Sequence, residues 1–171
     1  MNAFWALIPV ILVRYVLLGL LNKEALKRAA FFPERHGSEK AAYWLYQAAT
    51  AVLLLYPIWL TIQPGQLYFY LGLLLYGGGL AIFAASAWAF ARTGKGFTAE
   101  GLYRISRNPM YIGYFLYFLG CAIMTRSLIL LATVIVFQIS AHWIIRSEER
   151  WCIREFGEKY EAYMKKVRRY L

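Results

Sequence analysis

The chain has 171 residues, 61% of them hydrophobic, and a formal charge of +10. A soluble domain of this size cannot hide so much apolar surface, because about half apolar is usual. The charges are segregated from the apolar runs, which excludes an ordinary globular domain and points to several membrane spans.

The first apolar run covers roughly residues 3–21. Its start, MNAFWALIPVILVRY, lacks the basic n-region of a signal peptide, so it is expected to remain as a span. Arg14 lies near its middle. Such a residue is either a partner for an anion or, more commonly, a charge that snorkels or pairs across helices. The second run, about 41–62, holds Gln47, and the third, about 67–91, holds Gly77-Gly78-Gly79, a stretch that allows close helix approach. The fourth and fifth, about 110–124 and 127–145, read as a hairpin turning at Thr125-Arg126-Ser127. Gln138 and His142 are polar positions in the fifth.

Loop charges test this layout independently. The basic residues following the five runs number 5, 0, 4, 1 and 8. Positive residues favour the cytoplasmic side, so the alternation fits an integral membrane protein with the N-terminus outside and the C-terminus cytoplasmic. The basic excess then reads as attraction to the anionic inner leaflet. A nucleic-acid partner is not expected, for want of a soluble basic fold. Beyond Arg150, the residues Phe156, Tyr160, Tyr163, Met164 and Val167 recur at helical spacing among lysines and arginines. They predict an amphipathic helix on the inner leaflet, broken once at Phe156-Gly157. The expected fold is therefore all-α and polytopic, with five transmembrane helices and a C-terminal cytoplasmic amphipathic helix. It forms one membrane domain over 1–171, with three N-terminal spans in 1–91 and a hairpin with its tail in 92–171.

Two stretches carry the chemistry. In GLYRISRNPMYIG, residues 101–113, proline pushes the preceding residue out of helical geometry and itself suits the first helical position. Asn108 is thus the expected N-cap of the fourth span, with Pro109 in its first turn. That helix end offers free N–H groups and partial positive charge to an anion. In HWIIRSEERWCIREFG, at about 100° per residue, His142, Arg146 and Glu149 share one side of a helix and Glu148 another. Paired carboxylates suit a cationic or hydroxylated ligand, while i,i+3 ion pairs such as Arg146–Glu149 are the plainer alternative. Cys121 and Cys152 have no metal-type spacing, two histidines are too few for an imidazole site, and no metal is expected.

The ordered set G-L-Y-x3-R-N-P-M-Y-x-G, a two-span hairpin, then R-S-E-E-R-x4-E-F-G-x2-Y-x2-Y-x3-V resembles the integral-membrane methyltransferases. That superfamily includes the isoprenylcysteine carboxyl methyltransferases and phospholipid methyltransferases. The resemblance covers about 92–171. It implies S-adenosyl-L-methionine bound between the last two spans and the tail. Matching cofactor positions are Lys95, Gly96, Phe97, Thr98, Tyr103, Asn108, Pro109, Met110, Tyr111, Glu148 and Glu149. This chain departs in having Asn108 where many members have His, and Ile144 where many have an Arg linked to substrate. Arg146 or His142 are the residues expected to stand in for that Arg in catalysis.

Methyl transfer to a lipophilic or lipid-modified acceptor, drawn from the membrane lipid phase, suits a pocket at the interface. It requires alignment and water exclusion rather than a metal. An anionic nucleophile needs no general base, and few bases lie near the motif, so a carboxylate or thiolate acceptor is favoured over an amine. The alternatives are an NADPH-dependent membrane reductase of the sterol-reductase type and a non-enzymatic membrane partner protein.

Overall fold

The computed structural model describes residues 1–34, 37–94 and 96–171. Among the described residues the regular secondary structure is helical throughout. Helix α1 (Ala3–Leu21) is a continuous run that loosens into a π-turn over Leu12–Leu17. Asn22 then ends it, and its side chain accepts from the Glu24 and Ala25 amides to start α2 (Lys23–Ala29). Helix α3 (Ser38–Leu55) extends through a 3-10 turn to Trp59. After it come α4 (Leu67–Arg92), α5 (Pro109–Thr125), α6 (Leu128–Phe156) and α7 (Glu158–Lys166).

Four of these elements, Ala3–Leu21, Ser38–Trp59, Leu67–Arg92 and Leu128–Phe156, are long and apolar enough to cross a membrane. Helix α5 is apolar but has 17 residues, about 25 Å at 1.5 Å per residue. The hairpin turn falls where the pattern puts it. Arg126 takes a left-handed conformation at φ 52°, and the Ser127 side chain accepts from the Leu130 amide to open α6. Helix α6 continues unbroken through the RSEER stretch to Phe156, and Gly157, at φ 54°, makes the bend before α7.

Helices α4 and α5 meet almost backbone to backbone. A Cβ on Gly79 would fall 2.7 Å from the Gly113 carbonyl oxygen, and one on Gly72 2.9 Å from that of Gly120. Gly77 and Gly78 face open space. Of the triple glycine, therefore, Gly79 alone makes the contact, against Gly113 and Tyr117, while Gly72, seven residues earlier, meets Gly120. Small residues allow this approach because apolar lipid gives helices no hydrophobic reason to associate, so packing must hold them. The Tyr117 hydroxyl from α5 donates to the Ala6 carbonyl, and that of Tyr76 to the same oxygen, tying α1 to the pair.

The tail also makes contacts within the protein. Tyr160 and Val167 are buried, and the Phe97 ring lies 5.4, 5.0 and 5.2 Å from the rings of Phe156, Tyr160 and Tyr163. Tyr160 and Tyr163 of α7, with Phe156 at the end of α6, thus pack around Phe97. Aromatic pairs at such separations add to simple area burial, and the loop supplies a partner that periodicity alone does not reveal.

Candidate active site

The two motif stretches converge on one cavity of about 470 Å³. Helices α5 and α6 reach it through Tyr111, Tyr114, Glu148 and Cys152, and the loop before α5 through Phe97, Thr98 and Tyr103. The α2 end and the first loop supply Arg28, Phe31 and Pro33, while α1 supplies Arg14. A volume of this size and a largely aromatic wall suit one small organic ligand.

Adjacent carboxylates have different jobs. Glu148 turns into the cavity, where its Oε1 accepts from the Tyr111 hydroxyl at 3.0 Å. Its Oε2 has no protein partner among the described residues. Glu149 also borders the cavity, yet both its oxygens are engaged. Oε1 takes Arg107 Nε at 3.0 Å and Nη2 at 2.9 Å, and Oε2 takes Arg169 Nη2 at 2.7 Å. The i,i+3 pair with Arg146 is not formed. A buried carboxylate requires full compensation, which two guanidiniums arriving from the motif loop and the tail provide.

Asn108 stands at the N-cap of α5 with Pro109 following, but its side chain makes no cap. Instead Nδ2 donates to the Arg169 carbonyl at 3.1 Å, and the Ser106 hydroxyl donates to the same oxygen at 3.2 Å. The Arg107 amide donates to the Arg168 carbonyl, and Arg107 Nη1 reaches the carbonyls of Met164 and Val167. The RNP stretch is therefore the clamp for the C-terminal tail. The Tyr163 hydroxyl donates to the Tyr103 carbonyl at 2.6 Å, closing the same seam. Burial pushes the Tyr163 phenol up to about 12 and raises that of Tyr103 as well, so both remain neutral. The hydrogen bond to Glu149 raises the Arg169 guanidinium, which stays charged.

Of the sequence-derived positions, Gly96, Phe97, Thr98, Tyr103, Asn108, Met110, Tyr111, Glu148 and Glu149 border the cavity. Pro109 is buried behind it, and Lys95 lies outside the described residues. His142 and Arg146 do not border it. His142 Nδ1 is 2.9 Å from the Tyr170 hydroxyl, and the exposed Arg146 lies over the Trp143 ring. At about 100° per residue Arg146 points away from Glu148, whereas His142, two turns before Glu149 on the same side of α6, is taken up by Tyr170 of the tail. Sequence reasoning missed Arg28, Tyr46, Tyr114 and Trp151. Arg14 carried a signal, as a charge inside a span, without a location.

A family model described as phospholipid methyltransferase matches residues 67–159. The chain belongs to that family. The match includes Phe97, Thr98, Tyr111 and Glu148, so the cavity of this phospholipid methyltransferase family member lies largely within the shared segment. A protein-S-isoprenylcysteine O-methyltransferase of Schizosaccharomyces pombe is 31% identical over 70 residues. That stretch is 40% of this chain and 29% of the yeast protein, so the similarity covers less than a third of the relative's length. No solved structure matches the chain significantly. Family membership and the apolar helices together make it an integral membrane protein, and neither match favours a reductase or a non-enzymatic partner protein.

Proposed function

We propose that the protein transfers a methyl group from S-adenosylmethionine to a lipophilic, anionic acceptor at the cytoplasmic face of a membrane. The observation that carries this reading is the cavity in the family-matched segment, with unspent polar atoms set in an aromatic wall. Among the described residues, the Thr98 hydroxyl oxygen is buried with no hydrogen-bond partner, and Glu148 keeps one oxygen free. Leaving a buried polar group unpaired costs about 1–3 kcal/mol, and a ligand with donors removes that cost. The donor set fits the proposed group, which carries an ammonium, ribose hydroxyls and a flat purine.

In this reading Glu148, oriented by Tyr111, accepts from the ammonium or a ribose hydroxyl. Thr98 pairs with a further polar group. Phe97, Tyr103, Trp151 and Tyr160 give the purine and the cationic sulfur apolar faces and keep water out. Bound there, S-adenosylmethionine supplies a methyl carbon on positive sulfur, so the acceptor's lone pair forms the new bond as the carbon–sulfur pair returns to sulfur. An anionic acceptor gives up no proton, so no base is required, and none of the cavity's neutral phenols has to act as one. The chain's part is alignment and water exclusion. A carboxylate acceptor also accords with the yeast relative, whose name specifies O-methylation of isoprenylcysteine. Arg146 and His142, facing elsewhere, have no part in it.

The topology proposed is five spans with a short α5, the N-terminus outside and the tail inside. The alternating loop charges support it.

The test is calorimetry with S-adenosylhomocysteine on the detergent-purified protein. Wild type should bind saturably. Glu148→Gln should weaken binding roughly 10- to 150-fold, the loss of one charge-assisted hydrogen bond of about 1.5–3 kcal/mol. Unchanged affinity in that variant would remove Glu148 from the site. A tritiated methyl donor incubated with membranes should label a lipid-soluble product, and an absence of label there would sink the reading itself.

A further inference from the structure

The cations bordering the cavity are not equivalent. Arg28 spends its guanidinium on backbone, with Nη1 donating to the Gly94 carbonyl at 2.9 Å and Nη2 to that of Thr93 at 2.6 Å. Further contacts reach Phe90 and Gly96, so this residue ties α2 to the 93–96 loop. Arg107 is consumed by Glu149 and the tail carbonyls. Lys27 pairs with Glu24 at the surface.

Arg14 differs. It lies about 10 Å inside the end of α1 at 1.5 Å per residue, in the π-turn, a feature frequent at functional sites. Its Nη1 donates to the Tyr114 hydroxyl and its Nη2 to the Ala29 carbonyl, each at 2.9 Å. Both partners are neutral. A guanidinium has five N–H donors, so three are left. Glu148 borders the same cavity, but among the described residues Arg14 is in ion-pair contact with no carboxylate. A full charge within an apolar helix, hydrogen-bonded to neutral groups only and with a cavity in front of it, has no counter-ion in direct contact among the described residues.

We infer that Arg14 is the specificity-determining residue for the acceptor, holding the anionic headgroup of a lipophilic substrate through its remaining donors. This rests on the methyltransferase reading and adds the residue that anchors its anionic acceptor. Two neutral partners fix the guanidinium plane, and a planar fork recognises a carboxylate in two-point fashion. Its depth suits an acceptor whose tail stays in the bilayer while its headgroup enters the cavity. Tyr114, bonded to Arg14 and packed on Phe83 at 4.3 Å between centroids, is the positioning residue.

The test compares oleate with oleamide, equal in chain length and differing in charge, on protein saturated with S-adenosylhomocysteine. Wild type should bind oleate about tenfold or more tightly than oleamide. Arg14→Gln should bring that ratio to about one and leave oleamide and S-adenosylhomocysteine affinities as they were. Arg14→Lys, which keeps charge but not the fork, should restore part of it. A purely structural Arg14 would move both lipids together. Equal affinities in wild type overturn the inference without any variant, as does a ratio that survives Arg14→Gln. Failure of wild type to bind S-adenosylhomocysteine would instead count against the methyltransferase reading.

Discussion

Glu149→Ala should lower the stability of the folded protein by about 3–5 kcal/mol, the usual cost of removing one partner from a buried ion pair. The side chains of Arg107 and Glu149 are 8% and 5% exposed, so the guanidinium left behind has little access to water. Arg169, at 32% exposure, can turn outward. Arg169→Ala should therefore cost clearly less than Glu149→Ala. Thermal unfolding in detergent measures the order, and equal losses would refute the account of which pair is buried. Limited trypsin digestion reads the same event locally. With Glu149 gone, the Ser106 and Asn108 contacts to the Arg169 carbonyl have to hold the tail unaided. Cleavage among Lys165, Lys166 and Arg168 should accelerate. Glu148→Gln, one position earlier, should leave tail protection at the wild-type level, because Glu148 makes no tail contact and bonds Tyr111.

Gly79→Leu should prevent assembly of the α4–α5 pair and yield little or no folded protein. Even the Cβ would collide with backbone atoms of Tyr117 and Gly113, which cannot move aside as side-chain ends do. Overpacking costs about 1–3 kcal/mol where side chains can shift, and more where they cannot. Gly78→Leu is the matched control. A Cβ there meets nothing within 4 Å, and replacing a mid-helix glycine gains about 0.5–1 kcal/mol of helix preference. The two neighbours should thus move yield and thermal midpoint in opposite directions. Similar losses at both would mean that the close approach is not what holds α4 to α5.

The contrast within that triple glycine marks how far a linear reading goes. Residues 77–79 are alike in composition, and any of them allows close approach. Which one makes it depends on the rotation of α4 about its axis, set by Tyr76 stacking on Tyr117 at 4.6 Å and by Phe83 against Tyr114. The adjacent glutamates repeat the lesson. Their presence as a pair is local information, and the motif around them led to the family that the 67–159 match bears out. Their division of labour is not local. Glu149 is claimed by arginines 42 and 20 positions away, and what is left over defines Glu148 as the residue facing the cavity.

The apolar helical runs, the turn at Arg126, the bend at Gly157 and the family were all legible in the linear chain. Each of these depends on the composition or backbone preference of a few consecutive residues. That α7 folds inward on Phe97, that the RNP stretch clamps the tail and that Arg14 borders the cavity became visible once the chain was folded. Those outcomes need partners from distant segments. Burial makes an unmet charge or hydrogen bond so costly that long-range pairing, not local pattern, chooses where each polar side chain ends.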